Sequence, residues 1–221
     1  MRSLVVAVLV LVFLVAGAAP ARAEKARPSR TKIWTFTFEA DTLGRPPART
    51  KVHGGTWSVE ADSAAPGGRV VRQSQSDDGV AFHFLRFEKP TLGDVLASVR
   101  FRIVSGEIDP SVGLLFQVDE KGRNGYLVRI CGEKDEIALH YIIYGKRRDI
   151  RFARMERPEP GTWHTLAVRR EGMRIAILYD GNEVMRLRDE LYSKGTVGLW
   201  TEDDTVADFA QLEIGVPKAG D

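Results

Sequence analysis

From Ile33 onward, apolar and polar residues alternate at period two along most of this chain. Ile33-Trp34-Thr35-Phe36-Thr37-Phe38 is one such run and Trp163-His164-Thr165-Leu166-Ala167-Val168 is another. This period places successive side chains on opposite faces of a strand, one face buried and one solvated. Similar runs predict strands over 56–60, 69–73, 80–87, 95–104, 112–118, 126–131 and 137–144. The second half continues with 149–153, 163–169, 174–179, 183–187, 196–201 and 206–214. Turn chemistry separates them: Gly54-Gly55, Pro66-Gly67-Gly68, Gly145, Gly172 and the hairpin pair Asp180-Gly181. No long segment has the 3.6-residue period of a helix, and 189–194 is at most one helical turn. Many short strands without helices to cover a parallel sheet predict an all-β, two-sheet antiparallel jelly-roll sandwich.

The N-terminus follows a different pattern. Met1-Arg2-Ser3 leads into an unbroken apolar run from Leu4 to Val15, then small residues ending in Ala21-Arg22-Ala23. A basic start, a short apolar centre and a small-x-small end are the features of a cleavable signal peptide over 1–23. An uncleaved membrane anchor is the alternative. Residues 24–32 are charged and interrupted by Pro28, as in a flexible tether. The sandwich is expected over 33–216, with a polar tail at 217–221. The expected location is the periplasm or the cell exterior.

Charge alters the choice of partner. The chain has 32 Lys and Arg against 30 Asp and Glu. Loss of Arg2 and Arg22 with the leader makes the remainder formally neutral. Nothing in that balance argues for nucleic acid or an anionic membrane as the main partner. Cys131 is the single cysteine, so no internal disulfide forms. In a strand-like run it is expected to pack as a small apolar residue, the alternative being a reactive thiol.

A series of motifs carries a resemblance. It runs from Phe38-Glu39-Ala40-Asp41 with Gly44-Arg45-Pro46-Pro47, through Gly55-Thr56-Trp57-Ser58-Val59 and Trp163-His164-Thr165-Leu166-Ala167-Val168. It ends at Gly195-Thr196-Val197-Gly198-Leu199-Trp200-Thr201. The series resembles exported bacterial proteins of the concanavalin A-like lectin/glucanase superfamily, including laminin-G-like jelly rolls and 3-keto-disaccharide hydrolase-like domains. The resemblance covers roughly 33–216 and implies the same sandwich fold. It also implies a structural calcium tying the first strand's loop to the last strand, with Glu39, Asp41 and Asp208 as ligands and loop carbonyls completing the shell. Two departures bear on activity. No glutamate begins the Glu-x-Asp-x-x-Glu pattern that sets paired catalytic acids on one strand face. Where the keto-disaccharide family has Asn-Ser-Gly, this chain reads Pro110-Ser111-Val112-Gly113, and the next strand offers no acid.

Parity supplies the candidate site. If Val95, Ala97, Val99, Phe101 and Ile103 face the core, Arg100 and Arg102 face away. The same parity exposes Gln117, Arg129, and His140 with Tyr144, bordered by Trp200 and Glu202. A sugar stacks its apolar face on an aromatic ring, while Arg and Gln engage its hydroxyls. The expected function is therefore a non-catalytic, lectin-like carbohydrate-binding module, a monomer, using Arg100, Arg102, Gln117, Arg129, His140, Tyr144 and Trp200 on the concave sheet. No cofactor is required, the structural calcium being an optional addition.

A sugar hydrolase or lyase, with His140 as base and Arg129 stabilising charge, is the alternative. A structural surface protein is the third reading. Ordinary solvated side chains on an open sheet face would show the same pattern. Trp34, Trp57 and Trp163 are expected in the core. Phe82-His83-Phe84 points its phenylalanines inward and His83 to solvent. The four histidines have no close pair at metal-ligand spacing. Lys146-Arg147-Arg148 reads as a solubilising hairpin flank, or as a contact for an anionic polysaccharide.

Overall fold

Fifteen strands form among the described residues, in order along the chain. First come β1 (Ile33–Phe36), β2 (Thr50–Val52), β3 (Trp57–Ala61), β4 (Arg69–Gln73) and β5 (Phe82–Phe87). The middle of the chain supplies β6 (Val95–Ser105), β7 (Ser111–Val118), β8 (Gly125–Cys131), β9 (Glu136–Ile143) and β10 (Lys146–Arg154). The last are β11 (His164–Glu171), β12 (Arg174–Tyr179), β13 (Asn182–Arg188), β14 (Thr196–Glu202) and β15 (Val206–Gly215). This computed structural model describes residues 32–77 and 81–217. The expected signal peptide, nearly all of the tether, Val80 and the tail beyond Pro217 lie outside them. Among the described residues no helix is long and apolar enough to cross a membrane.

The strands build two antiparallel sheets packed as a jelly-roll sandwich. One runs β13-β12-β11-β6-β15-β4-β3, with β1 also paired to β15; the other runs β10-β9-β8-β7-β14-β5-β2. Short, turn-linked strands give hairpins within a sheet, such as β12 to β13 through Asp180-Gly181. Residues 189–194 form no helical turn. Instead the Asp189 carboxylate accepts hydrogen bonds from the Tyr126 and Tyr141 hydroxyls.

The core lies between the sheets and follows the expected alternation. Val95, Ala97, Val99, Phe101 and Ile103 of β6 face Leu114, Phe116, Tyr126, Val128, Ile130, Ile137 and Leu139 from the other sheet, all buried. Burial of so many apolar side chains, at about 1.5–3 kcal/mol each for the large ones, is what holds a chain with no disulfide together. Cys131 is buried, as expected.

Parity inverts on β5. Phe82 and Phe84 pack with Trp200 on the outer side of the second sheet, and His83 points between the sheets with only 2% exposure. There His83 Nδ1 accepts from Gln73 Nε2 at 3.0 Å and Nε2 meets Asp77 at 2.7 Å. The same Gln73 nitrogen also lies within donating distance of Thr201 Oγ1 and the Thr205 carbonyl. Alternation alone gave two faces for this strand. Which one is the core depends on its partner β14, whose outer residue is Trp200.

Candidate functional site on the outer face of the second sheet

Four adjacent strands, β9-β8-β7-β14, bring Trp200 (β14), Arg129 (β8) and His140 (β9) onto one face. Trp200 is 1% exposed and forms a floor with Leu115, Val118, Leu127 and Ile142, with Phe82 and Phe84 packed against it. Its ring centroid lies 5.5 Å from that of Phe82. Gly113, paired opposite Trp200 on β7, makes room for the indole. A Cβ there would stand 3.1 Å from Trp200 Cε3 and 2.7 Å from Leu127 Cδ1.

A small pocket opens over this floor, with about 340 Å³ of empty space continuous with solvent. Its rim is Asn124, Gly125 and Gly145, with Gly122 at one corner. Gly122 has φ +68°, and a Cβ on it would come within 2.8 Å of His53 and Phe84. A side chain there would clash with the His53 ring, which stacks on Phe84 at 4.6 Å.

Beside the aromatic floor lies a cluster of charges. Glu202 is 2% exposed and accepts from Arg147 Nη1 at 2.7 and 2.8 Å on its two oxygens. Arg129 Nε stands 2.9 Å from Glu202 Oε2, near enough for ion pairing but without the alignment of a hydrogen bond. Arg129 also donates to Asp109, whose other oxygen accepts from Ser111 at 2.9 Å. The Arg147 guanidinium spans both halves of the site, 5.3 Å from the Phe82 ring and 6.0 Å from Trp200. Cation–π contact and a two-oxygen ion pair thus fix one side chain.

His140 is 2% exposed, and its Nδ1 lies 3.0 Å from Asp149 Oδ1. Burial, aided by the positive charge of Arg147 and Arg129 and opposed by Asp149, lowers its pKa to about 4. The ring is therefore neutral at pH 7. It donates from Nδ1 to Asp149, leaving Nε2 a buried acceptor without a partner.

A prediction follows from the sign of that shift. The unfolded imidazole titrates near 6.5, so stability is full above that pH and is lost as pH falls toward 4. The loss is about 2 kcal/mol at pH 5. Urea unfolding at pH 8 and pH 5 measures it, and His140→Gln is expected to flatten that interval. An unchanged pH slope in the variant would remove His140 as the cause.

The other expected site residues lie elsewhere. Tyr144 is 72% exposed at the β9–β10 turn, where its backbone N–H donates to Asn124 on the pocket rim. Gln117 is buried and donates to the Gly93 carbonyl at 2.6 Å. Arg100 and Arg102 belong to the first sheet, because β6 pairs β11 and β15 and not β7. They lie over Trp163, at 5.6 and 4.9 Å. Trp163 is accordingly a half-buried residue on that outer face and not a core residue, whereas Trp57 is buried in the core as expected.

The calcium ligand set does not fit the residues present. Asp208 takes Arg72 on both oxygens, at 2.7 and 2.9 Å, and Arg102 at 2.7 Å. The Phe38 and Asp41 carbonyls accept from Arg69, and the Asp41 carboxylate accepts from Ala48 N at 2.7 Å. Glu39 is exposed. Of the three expected carboxylates, that of Asp208 is the one held by guanidinium groups. Among the described residues no three His, Cys, Asp or Glu side chains converge as a metal site.

Sequence reasoning missed Arg147, Asp109, Phe82 and Phe84 as site residues, and placed Glu202 only at the border. One signal was available. Glu202 ends a strand at an alternate position to Trp200, and so shares its face.

No protein-family model matches the chain, and no curated protein sequence does. Solved structures are similar in fold. The carbohydrate binding module CBM66 from Bacillus subtilis superposes with a TM-score of 0.63 at 22% identity, covering 75% of this chain and 94% of that one. The exoplasmic/lumenal domain of VIP36, in a Ca2+/Man2-bound form, gives 0.59 at 11% identity, covering 86% and 91%. The carbohydrate esterase vb_24B_21 from Shiga toxin-encoding bacteriophage phi24B gives 0.55 at 12%, covering 84% and 99%. At these identities the likeness establishes the fold, a lectin-like two-sheet β-sandwich.

Proposed function

We propose that the protein is an exported, non-catalytic carbohydrate-binding module of the concanavalin A-like type, holding a glycan against the outer face of its second sheet. The observation that carries this reading is the juxtaposition of the partly exposed Phe82, Phe84 and Arg147, held in place by the buried Trp200, Glu202 and Arg129 beneath them. Sugars present an apolar ring face and a hydroxyl edge, and such a surface meets both. The pocket is a shallow dimple open to solvent, so a sugar would lie across it and not inside it. Lectin-like neighbours of the same fold, among them a carbohydrate binding module and a mannose-bound lumenal domain, agree with this use of the sandwich.

The chemistry of the acids favours binding over hydrolysis. Both Glu202 oxygens are occupied by guanidinium donors, so the residue is poorly placed as nucleophile or proton donor. The second reading, a sugar hydrolase or lyase, rests on the neutral His140 with its free Nε2 beside Arg129. That nitrogen is sealed from solvent, which places it out of a substrate's reach.

Titration of the protein against a panel of neutral oligosaccharides tests both readings. Binding is expected, and Tyr144→Ala, at an exposed position next to the rim residue Gly145, should weaken it roughly threefold to tenfold without changing the melting temperature. No binding by the intact protein to any member of the panel would refute the module. Turnover of a 3-keto-glycoside that disappears in His140→Ala would establish the enzyme instead.

A further inference from the structure

Strands β10 and β13 are the terminal strands of the two sheets on the same side of the sandwich. They approach each other where Arg151 Nη1 donates to the Arg186 carbonyl at 3.4 Å. The flank they form is basic: Lys146, Arg148, Arg151 and Arg154 on β10, Arg186 and Arg188 on β13, all exposed. Two acids interrupt these strands. Asp149 faces His140, and Glu183 pairs with Arg186. Lys146, Arg148, Arg151, Arg154 and Arg188 make no ion pair among the described residues.

Charged side chains on edge strands commonly prevent edge-to-edge pairing, and either sign serves that purpose. That role does not account for a nearly single-signed, arginine-rich flank on a chain whose formal net charge is only +2. Cations left unpaired at close spacing repel one another, and a multivalent anion relieves the repulsion. Arginine in place of lysine adds a planar fork that takes two oxygens of a carboxylate or sulfate at once. Lys146, Arg148 and Arg151 share one face of β10, with Arg154 on the other opposite Glu136, so the row extends over roughly 17 Å. Such a row matches a linear polymer better than a compact ligand.

We infer that this flank is a second binding surface, separate from the pocket, and that its ligand is an acidic polysaccharide. Two polyanionic competitors fit the surface less well. The flank has no row of aromatic platforms on which bases stack; Phe152, its one exposed ring, sits edge-on to His140 at 6.0 Å. It also lacks the apolar face with which a basic element enters a membrane interface. The inference goes beyond the pocket reading and stands without it.

Calorimetric titration with polygalacturonate, a sulfated glycosaminoglycan and neutral dextran tests it. Both acidic polymers are expected to bind and dextran not to, with affinity falling about tenfold or more between roughly 50 and 200 mM salt. The triple variant Arg148→Ser, Arg151→Ser, Arg188→Ser should lose at least tenfold in affinity at an unchanged melting temperature. Tyr144→Ala, beside the pocket's Gly145, should leave this binding intact. The inference is overturned if the triple variant binds as the parent does. It is overturned equally if duplex DNA or anionic vesicles bind as tightly as the polysaccharides, because that is unselective attraction. Loss of neutral-sugar binding in Tyr144→Ala alone bears on the pocket and not on the flank.

Discussion

Replacing Glu202 by alanine is expected to destabilise the protein by about 3–5 kcal/mol, because it strips the counter-charge from a buried arginine. Arg129 has 4% of its side chain exposed and Arg147 25%. Arg147 can therefore turn toward water, whereas Arg129 retains only Asp109. The asymmetry makes the result specific. Arg147→Met removes a half-exposed partner and should cost about 1 kcal/mol, much of it lost packing on Phe82 and Trp200. In the double variant Glu202→Leu, Arg129→Met, no buried charge is stranded on either strand, and much of the stability should return. Urea unfolding of the four proteins, read as midpoints at constant slope, measures these differences. A Glu202→Ala midpoint equal to that of the parent would mean that the cluster is solvated and contributes nothing.

Trp200→Ala should have a comparable effect on stability, about 3–5 kcal/mol, through a different mechanism. The indole is 1% exposed and lies among Leu115, Leu127, Ile142 and Phe82, so truncation opens a cavity beneath the pocket. For a domain of this size that is a fall of roughly 10 °C in melting temperature. It should also abolish sugar binding, because the aromatic floor is lost and Arg147 is deprived of one of the rings it covers. Trp200→Phe keeps an aromatic face with less volume and should retain part of both. Thermal melts paired with sugar titrations separate the two roles. A variant as stable as the parent would show that the ring is not packed as described.

Arg102 and Arg129 show why the site was only partly legible. Both were read correctly as facing away from the core, because strand alternation fixes that from local sequence alone. Whether they share a face is a question of topology. β6 and β7 are consecutive in sequence but lie in different sheets, so the outward side chains of one emerge on the opposite side of the molecule from those of the other. Arg129, His140 and Trp200 stayed together because β7, β8, β9 and β14 are neighbours in one sheet. Gln117 was lost from the set for a local reason. It has φ +51° beside a register shift between β7 and β14, and a bulge redirects the side chain it carries.

His83 and Glu202 show the limit from the other direction. Alternation assigned Phe82 and Phe84 to the core because apolar residues usually fill it. In this sandwich the outer face of β5 is itself apolar, so the histidine turned inward and found Gln73 and Asp77. Glu202-Asp203-Asp204 has the composition of a solvated loop, yet Glu202 and Asp203 are 2% and 8% exposed. Opposite charge from distant strands makes the burial of Glu202 tolerable, and the Ala81 N–H serves Asp203. The expected calcium ligand Asp208 meets the same effect. Arg72 and Arg102 take both of its oxygens.

The sequence by itself determined the all-β class, most of the strands and the inward face of β6. These follow from the period of two and from turn residues, which act over a few positions. Tertiary structure alone decided that one sheet face gathers Trp200, Phe82, Glu202, Arg129, Arg147 and His140. Pairing between strands far apart in the chain sets that arrangement, and no local pattern encodes which distant strand becomes a neighbour.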